Sequence, residues 1–168
     1  MNIKKKLNEY LDLYLKPVER GTLFRSSKMM GASAGTYVDM ECAESSIINY
    51  INENKDEDTF QTKLFKLIDE RELKDSDLYN KVDIDRRLFS KIRSNKDYHP
   101  SKETVILLGL GLEVSEKEIE DLLESASYSL PMNTIFDLIV RFCFKEHIYD
   151  VGTVNEFLYD HGCRLLNE

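Results

Sequence analysis

Hydrophobic residues recur at helical spacing along most of this chain. Residues 2–15 place Ile, Leu and Tyr on one face, which predicts an amphipathic first helix. No strand-like alternation stands out, and no internal repeat is seen. From Phe60 onward the pattern predicts a series of helices, over residues 60–73, 75–82, 85–94, 101–113, 115 onward, 133–147 and 153–160. The helix at 101–113 is apolar enough to be the buried centre of the domain, and Ser115 with Glu118 fits the capping-box pattern at the start of the next helix. The pattern therefore predicts an all-α protein.

The segment between the first helix and Phe60 is less regular. Residues 20–40 are rich in Gly, Ser and Ala and predict a loop or a segment that orders on binding. Residues 45–54 predict another short helix, and the acidic stretch 52–58 predicts a boundary. We therefore expect an N-terminal amphipathic helix plus a Gly/Ser/Ala-rich extension over residues 1–58, and a helical domain over residues 59–168.

Composition and targeting signals favour a cytoplasmic protein. The longest run of apolar residues and glycine, 105–112, is too short to cross a bilayer. Lys4 to Lys6 resemble the start of a signal peptide, but polar residues interrupt the apolar stretch that would have to follow. The three cysteines, Cys42, Cys143 and Cys163, are odd in number and widely spaced, which favours reduced thiols.

Catalytic and metal-binding patterns are not found. The histidines, His99, His147 and His161, lie far from any spacing typical of a metal site or a catalytic dyad, although His161 is close to Cys163. The GASAG sequence at 31–35 lacks the Lys-Ser ending of a phosphate-binding loop, which favours a linker. We therefore expect a protein that is not an enzyme and needs no cofactor or metal.

The charge is distributed unevenly along the chain. The net charge is −8, and residues 113–168 hold 12 acids against 4 bases, while residues 1–112 hold 19 of each. Residues 83–102 contain six bases and three acids. A local positive face on an acidic body is compatible with docking on DNA.

Residues 73–101 predict two short helices joined by a tight turn. Their apolar residues, Leu78, Val82, Ile84, Phe89 and Ile92, are spaced so that they can all be buried. Their basic residues are left to project outward, namely Arg86, Arg87, Lys91, Arg93 and Lys96. This segment is the most informative part of the sequence about function.

With this spacing, residues 60–128 resemble the phage-repressor-like helix-turn-helix domains of the XRE type. Leu78 matches the buried leucine of the second helix, Ile84 the aliphatic residue of the turn, and Phe89 with Ile92 the apolar pair of the third helix. Asp83 takes the turn position where the family prefers glycine, and aspartate can adopt the left-handed conformation needed there. The resemblance implies a repressor-like helix-turn-helix bundle, here with an N-terminal helical extension and extra C-terminal helices.

The resemblance also implies a DNA-binding site. The family's base-reading positions fall on Arg86, Arg87 and Ser90, and its phosphate contacts on Lys91 and Lys96. Arginine can donate two hydrogen bonds to the edge of a guanine, and lysine neutralises phosphate as a point charge.

Three residues of the unit depart from the family pattern. Asp75 stands where a glutamine often contacts the DNA backbone, Tyr79 replaces a small residue at the helix crossing, and Arg93 replaces a common glutamate.

Two functions follow as hypotheses. The first is a non-enzymatic regulator of transcription that inserts the helix at 85–94 into duplex DNA, with a homodimer formed through the first helix to suit a two-fold operator. Segments resembling residues 60–168 are also appended to larger bacterial proteins such as macro-domain proteins. The second hypothesis is therefore an acidic protein-interaction adaptor in a bacterial stress or phage-defence system, whose partner binds the acidic C-terminal helices or residues 20–40.

Overall fold

The computed structural model describes residues 3–15, 46–50 and 59–167. All regular secondary structure in these ranges is helical, which confirms the predicted all-α class. The chain divides into two units, one of residues 1–16 with 58–168 and one of residues 17–57.

In the smaller unit, residues 46–50 are helical with exposed side chains, within the short helix expected at 45–54. The predictions for residues 20–40, the GASAG sequence at 31–35 and the boundary at 52–58 lie outside the described residues.

The larger unit is built from short helices that follow one another closely. They are α1 (Ile3–Tyr14), α2 (Phe60–Glu70), α3 (Asp75–Lys81), α4 (Arg86–Ser94), α5 (Lys102–Leu112), α6 (Glu116–Ser125), α7 (Ile135–Lys145) and α8 (Val151–Asp160). Hydroxyl or carboxylate side chains cap most of their N-termini. The capping box predicted at Ser115 and Glu118 is confirmed, since each side chain bonds the other residue's backbone N–H.

Helix α5 forms the buried centre of the larger unit, as the apolar sequence predicted. Every residue from Thr104 to Leu112 is buried. Gly111 has no side chain to separate α5 from α3, and a Cβ atom there would lie only 2.6 Å from Leu78 Cδ1 and 2.8 Å from Val82 Cγ1. The backbone of α5 can therefore approach the side chains that support the turn after α3.

Helix α1 belongs to the larger unit, although we expected it to form one N-terminal region with the extension up to residue 58. It packs on α7, where Leu7 and Leu11 are buried and Tyr10 lies against Phe142. Leu7 and Leu11 are therefore covered within the same chain, whereas Ile3, Tyr14 and Leu15 remain exposed.

The two cysteines of the described residues, Cys143 and Cys163, are both free thiols. Burial raises the pKa of the Cys143 thiol to about 12 and also raises the pKa of the half-buried Cys163, so both thiols are held in the protonated form at neutral pH. Within the described ranges, no group of three or more His, Cys, Asp or Glu side chains is arranged to hold a metal ion. In the same ranges, no helix is long and apolar enough to cross a membrane.

Candidate nucleic-acid interface

Helices α3 and α4 are joined by a turn whose shape depends on three residues. Val82 and Ile84 are buried and anchor the turn in the core. Asp83 lies between them with a φ of 54°, in the left-handed region, as its place in the turn predicted. Asp85 then caps α4, because its carboxylate accepts a hydrogen bond of 2.6 Å from the Arg87 backbone N–H.

The inner face of α4 is fixed by aromatic packing. Phe89 and Ile92 are buried, at 2% and 0% exposure. The Phe89 ring lies 5.6 Å from the ring of Tyr79 and 6.4 Å from the ring of Phe65, measured between centroids. Tyr79 therefore fits beside Phe89 in the place where the repressor-like pattern has a small residue.

The C-terminus of α4 is held by a side chain of α2. The Gln61 amide donates a 2.7 Å hydrogen bond to the Ile92 carbonyl and a second bond to the Asn95 carbonyl. The last carbonyls of a helix have no partner within the helix, so this amide supplies one. Gln61 therefore fixes the position of α4 relative to α2.

The outer face of α4 carries four of the five predicted DNA-binding residues. Arg86, Arg87, Ser90 and Lys91 are exposed and line one shallow depression together with Ser94. Lys96 is exposed as well, but it lies in the turn after α4 and does not line this depression. The structure thus brings four of the predicted residues together on one helix face.

The basic side chains of this region differ in what they contact. In residues 3–15, 46–50 and 59–167, no acidic side chain forms an ion pair with Arg86, Arg87 or Lys96. Lys91 lies over the ring of Tyr98, with its Nζ atom 4.5 Å from the ring centroid. Tyr98 is half-buried, so it covers the end of the core as well as supporting Lys91.

Arg93 and Asp75, two of the departures from the family pattern, contact each other. The Arg93 guanidinium pairs with the Asp75 carboxylate at 2.5 Å and lies over the Phe65 ring, 4.2 Å from its centroid. The negative charge at Asp75 is therefore balanced by an arginine of α4.

Sequence reasoning missed Ser94, Gln61 and Phe65. Helical spacing could have identified Ser94, because it lies four residues after Ser90 and eight after Arg86 on the same helix face. No sequence pattern indicated the contacts of Gln61 and Phe65, because both residues contact α4 from about thirty residues away in the chain.

The described fold is thus an all-helical bundle in which one short helix presents a cationic face. Comparisons of the chain with protein-family models, curated proteins and solved structures gave no match.

Proposed function

We propose that the protein is a helix-turn-helix regulator of the repressor-like type that binds duplex DNA through the outer face of α4. The observation that carries the proposal is the grouping of Arg86, Arg87, Ser90 and Lys91 on one exposed face. Arg86 and Arg87 are exposed and form no ion pair with another of the described residues, and a guanidinium has five N–H donors to offer a ligand.

The dimensions of α4 suit the major groove of DNA. Its nine residues make about two and a half turns, and an α-helix with its side chains is about 10–12 Å in diameter. The major groove is about 12 Å wide and admits one α-helix. Arg86 and Arg87 lie in the first turn of α4, and the N-terminal residues of a recognition helix commonly contact base edges.

Ser90 and Ser94 support a close approach to the bases. Both side chains are small and line the same depression as the longer Arg86, Arg87 and Lys91. A short hydroxyl lets the helix backbone come near the floor of the groove, and the hydroxyl can donate to or accept from a base edge.

The acidic charge of residues 113–168 is compatible with this proposal. Glu116 and Glu120 of α6 both pair with Arg141, and Glu118 pairs with Arg71. These acids therefore contribute to the packing of α6 on its neighbours and are less available to a protein partner than their number suggests. This favours the DNA-binding proposal over the adaptor hypothesis.

The test is binding of fluorescent duplex DNA, measured by anisotropy at low and moderate salt, with DNA from the upstream region of the protein's own gene and with random DNA. We expect salt-dependent binding that prefers some sequences. Replacing Arg86→Ala together with Arg87→Ala should weaken it by about thirtyfold or more, because each base-directed arginine contributes roughly 1–3 kcal/mol.

The matched control is Lys66→Ala with Lys117→Ala, which removes the same charge from exposed positions on α2 and α6. We expect the control to bind DNA like the natural chain, and both variants to unfold at an unchanged temperature. Equal loss of binding in both pairs would mean that only net charge matters. A folded protein that binds neither DNA would contradict the proposal and direct attention to protein partners.

A further inference from the structure

We propose that Arg93 binds a DNA phosphate on the side of α4 opposite Lys91. This inference rests on the proposed function and adds to it a residue that the family pattern does not supply, since a glutamate is common at this position. It follows from where the two cations lie on the helix and from what holds them.

Lys91 and Arg93 mark the two edges of the exposed face of α4. At about 100° per residue, they project about 160° apart around the helix axis, with Arg86, Ser90 and Ser94 between them. A helix in the major groove has a phosphate backbone on each side and base edges in front. Cations at the two edges are therefore placed for phosphates, and the residues between them for bases.

Both edge cations rest on aromatic rings of the surrounding structure. Lys91 lies over Tyr98, which follows α4, and Arg93 lies over Phe65, which belongs to α2. A cation held against a ring samples fewer conformations before it binds, so less conformational entropy is lost on contact with phosphate. The rings thus make Phe65 and Tyr98 positioning residues.

Arg93 keeps donors that its internal contacts do not use. Its Nη2 atom donates to Asp75 Oδ1, and about half of its side chain, 49%, is exposed. Because a guanidinium has five N–H donors in a planar fork, others remain for a phosphate oxygen while the ion pair persists.

Asp75 both orients Arg93 and limits its effect. Its carboxylate fixes the guanidinium on α3, yet the negative charge also opposes an approaching phosphate. The pair is partly exposed, so solvent screens the interaction and leaves part of the positive potential of Arg93 available. Removing the charge of Asp75 should therefore strengthen DNA binding.

The experiment compares the salt dependence of DNA binding in the full-length natural chain, Arg93→Gln, Lys91→Gln and the control Lys66→Gln. One lost phosphate contact lowers the slope of log K against log salt by about 0.9. We expect this decrease for Arg93→Gln and for Lys91→Gln, with weaker binding to preferred and random DNA in equal proportion, and no change for Lys66→Gln. We expect Asp75→Asn to bind more tightly than the natural chain.

The outcomes separate this inference from the proposed function. If the natural chain binds DNA and Arg93→Gln has the same affinity and slope, Arg93 is only an internal brace and the inference is wrong. A changed sequence preference in Arg93→Gln would also contradict it, because phosphate contacts carry no base information. If the natural chain binds no duplex DNA, both proposals fail. Thermal unfolding checks that each variant is folded. If Arg93→Gln does not fold, Asp75→Asn provides the test.

Discussion

The basic residues of α1 and those of α4 have different surroundings. On α1, Lys4 pairs with Glu156 and Asp160 at 2.7 and 3.0 Å, and Lys6 pairs with Glu146. On α4, Arg86 and Arg87 form no ion pair with an acid of the described residues. Both segments are strongly basic in sequence, with three consecutive lysines in α1 and two consecutive arginines in α4.

Arg86 and Arg87 differ from Lys4 and Lys6 in having no acidic partner among the described residues, although both segments are rich in basic residues. Lys4 and Lys6 of α1 pair with acidic side chains of the segments against which α1 packs. Arg86 and Arg87 of α4 have no such partner among the described residues. This difference supports the proposed DNA contacts of α4 and a structural role for α1.

Two other ion pairs differ in how deeply they are buried. Lys102 and Asp137 lie 2.5 Å apart and are largely buried, with side-chain exposures of 19% and 6%. Arg93 and Asp75 lie at the same separation but are exposed to 49% and 33%. The first pair belongs to the core of the bundle, and the second lies at the surface beside the proposed DNA-binding face.

The largest effect on stability should come from Asp137→Asn. This change leaves the ammonium group of Lys102 without its buried counter-charge, and breaking such a pair costs about 3–5 kcal/mol of unfolding free energy. Denaturant unfolding measures the loss. In the matched change Asp75→Asn, the exposed pair should cost less than about 1 kcal/mol. Equal losses for the two variants would contradict the contrast.

A somewhat smaller effect is expected for Leu7→Ala on α1. Leu7 is 1% exposed, and truncation of a buried leucine costs about 2–5 kcal/mol. We expect the lower part of this range because α1 packs at the edge of the bundle, where its neighbours can relax. The control Leu13→Ala, at a position that is 65% exposed, should leave the unfolding free energy nearly unchanged. DNA affinity should be unchanged in both folded proteins, and its loss in Leu7→Ala alone would assign α1 to the interface.

The smallest effect is expected for Lys4→Met. Hydrogen bonds to Glu156 and Asp160 raise the pKa of Lys4 above its ordinary value of 10.5, so the ion pair stabilises the fold at neutral pH and is lost only as the pH rises through that raised value. The side chain is exposed, so we expect a slight fall in melting temperature that disappears in high salt. DNA binding that weakens as much as in Arg86→Ala with Arg87→Ala would contradict the structural role of α1.

Local patterns were enough to predict much of the fold. The helical spacing of apolar residues predicted the helices from Phe60 onward, and the serine and glutamate at 115 and 118 predicted a capping box. Four exposed residues of the candidate site were placed together because they lie on one helix, where a spacing of three or four residues determines the shared face.

Contacts between distant segments could not be predicted from the same patterns. The amphipathic face of α1 indicated that Leu7 and Leu11 would be buried, but nothing in it showed that the partner is α7 rather than a second copy. The ion pair of Asp75 with Arg93 likewise could not be predicted, because it depends on how α3 and α4 cross. In the sequence, each of the two residues is only a departure from the family pattern.

The most direct measurement is a backbone amide NMR titration of the full-length protein with the duplex it binds best. We predict that the largest chemical-shift changes lie at residues 86–96, including Arg86, Arg87 and Ser90, and that the amides of α1 and α6 remain unchanged. Changes concentrated on α1 or α6, or no change at saturating DNA, would contradict the assignment of α4 as the DNA-binding helix.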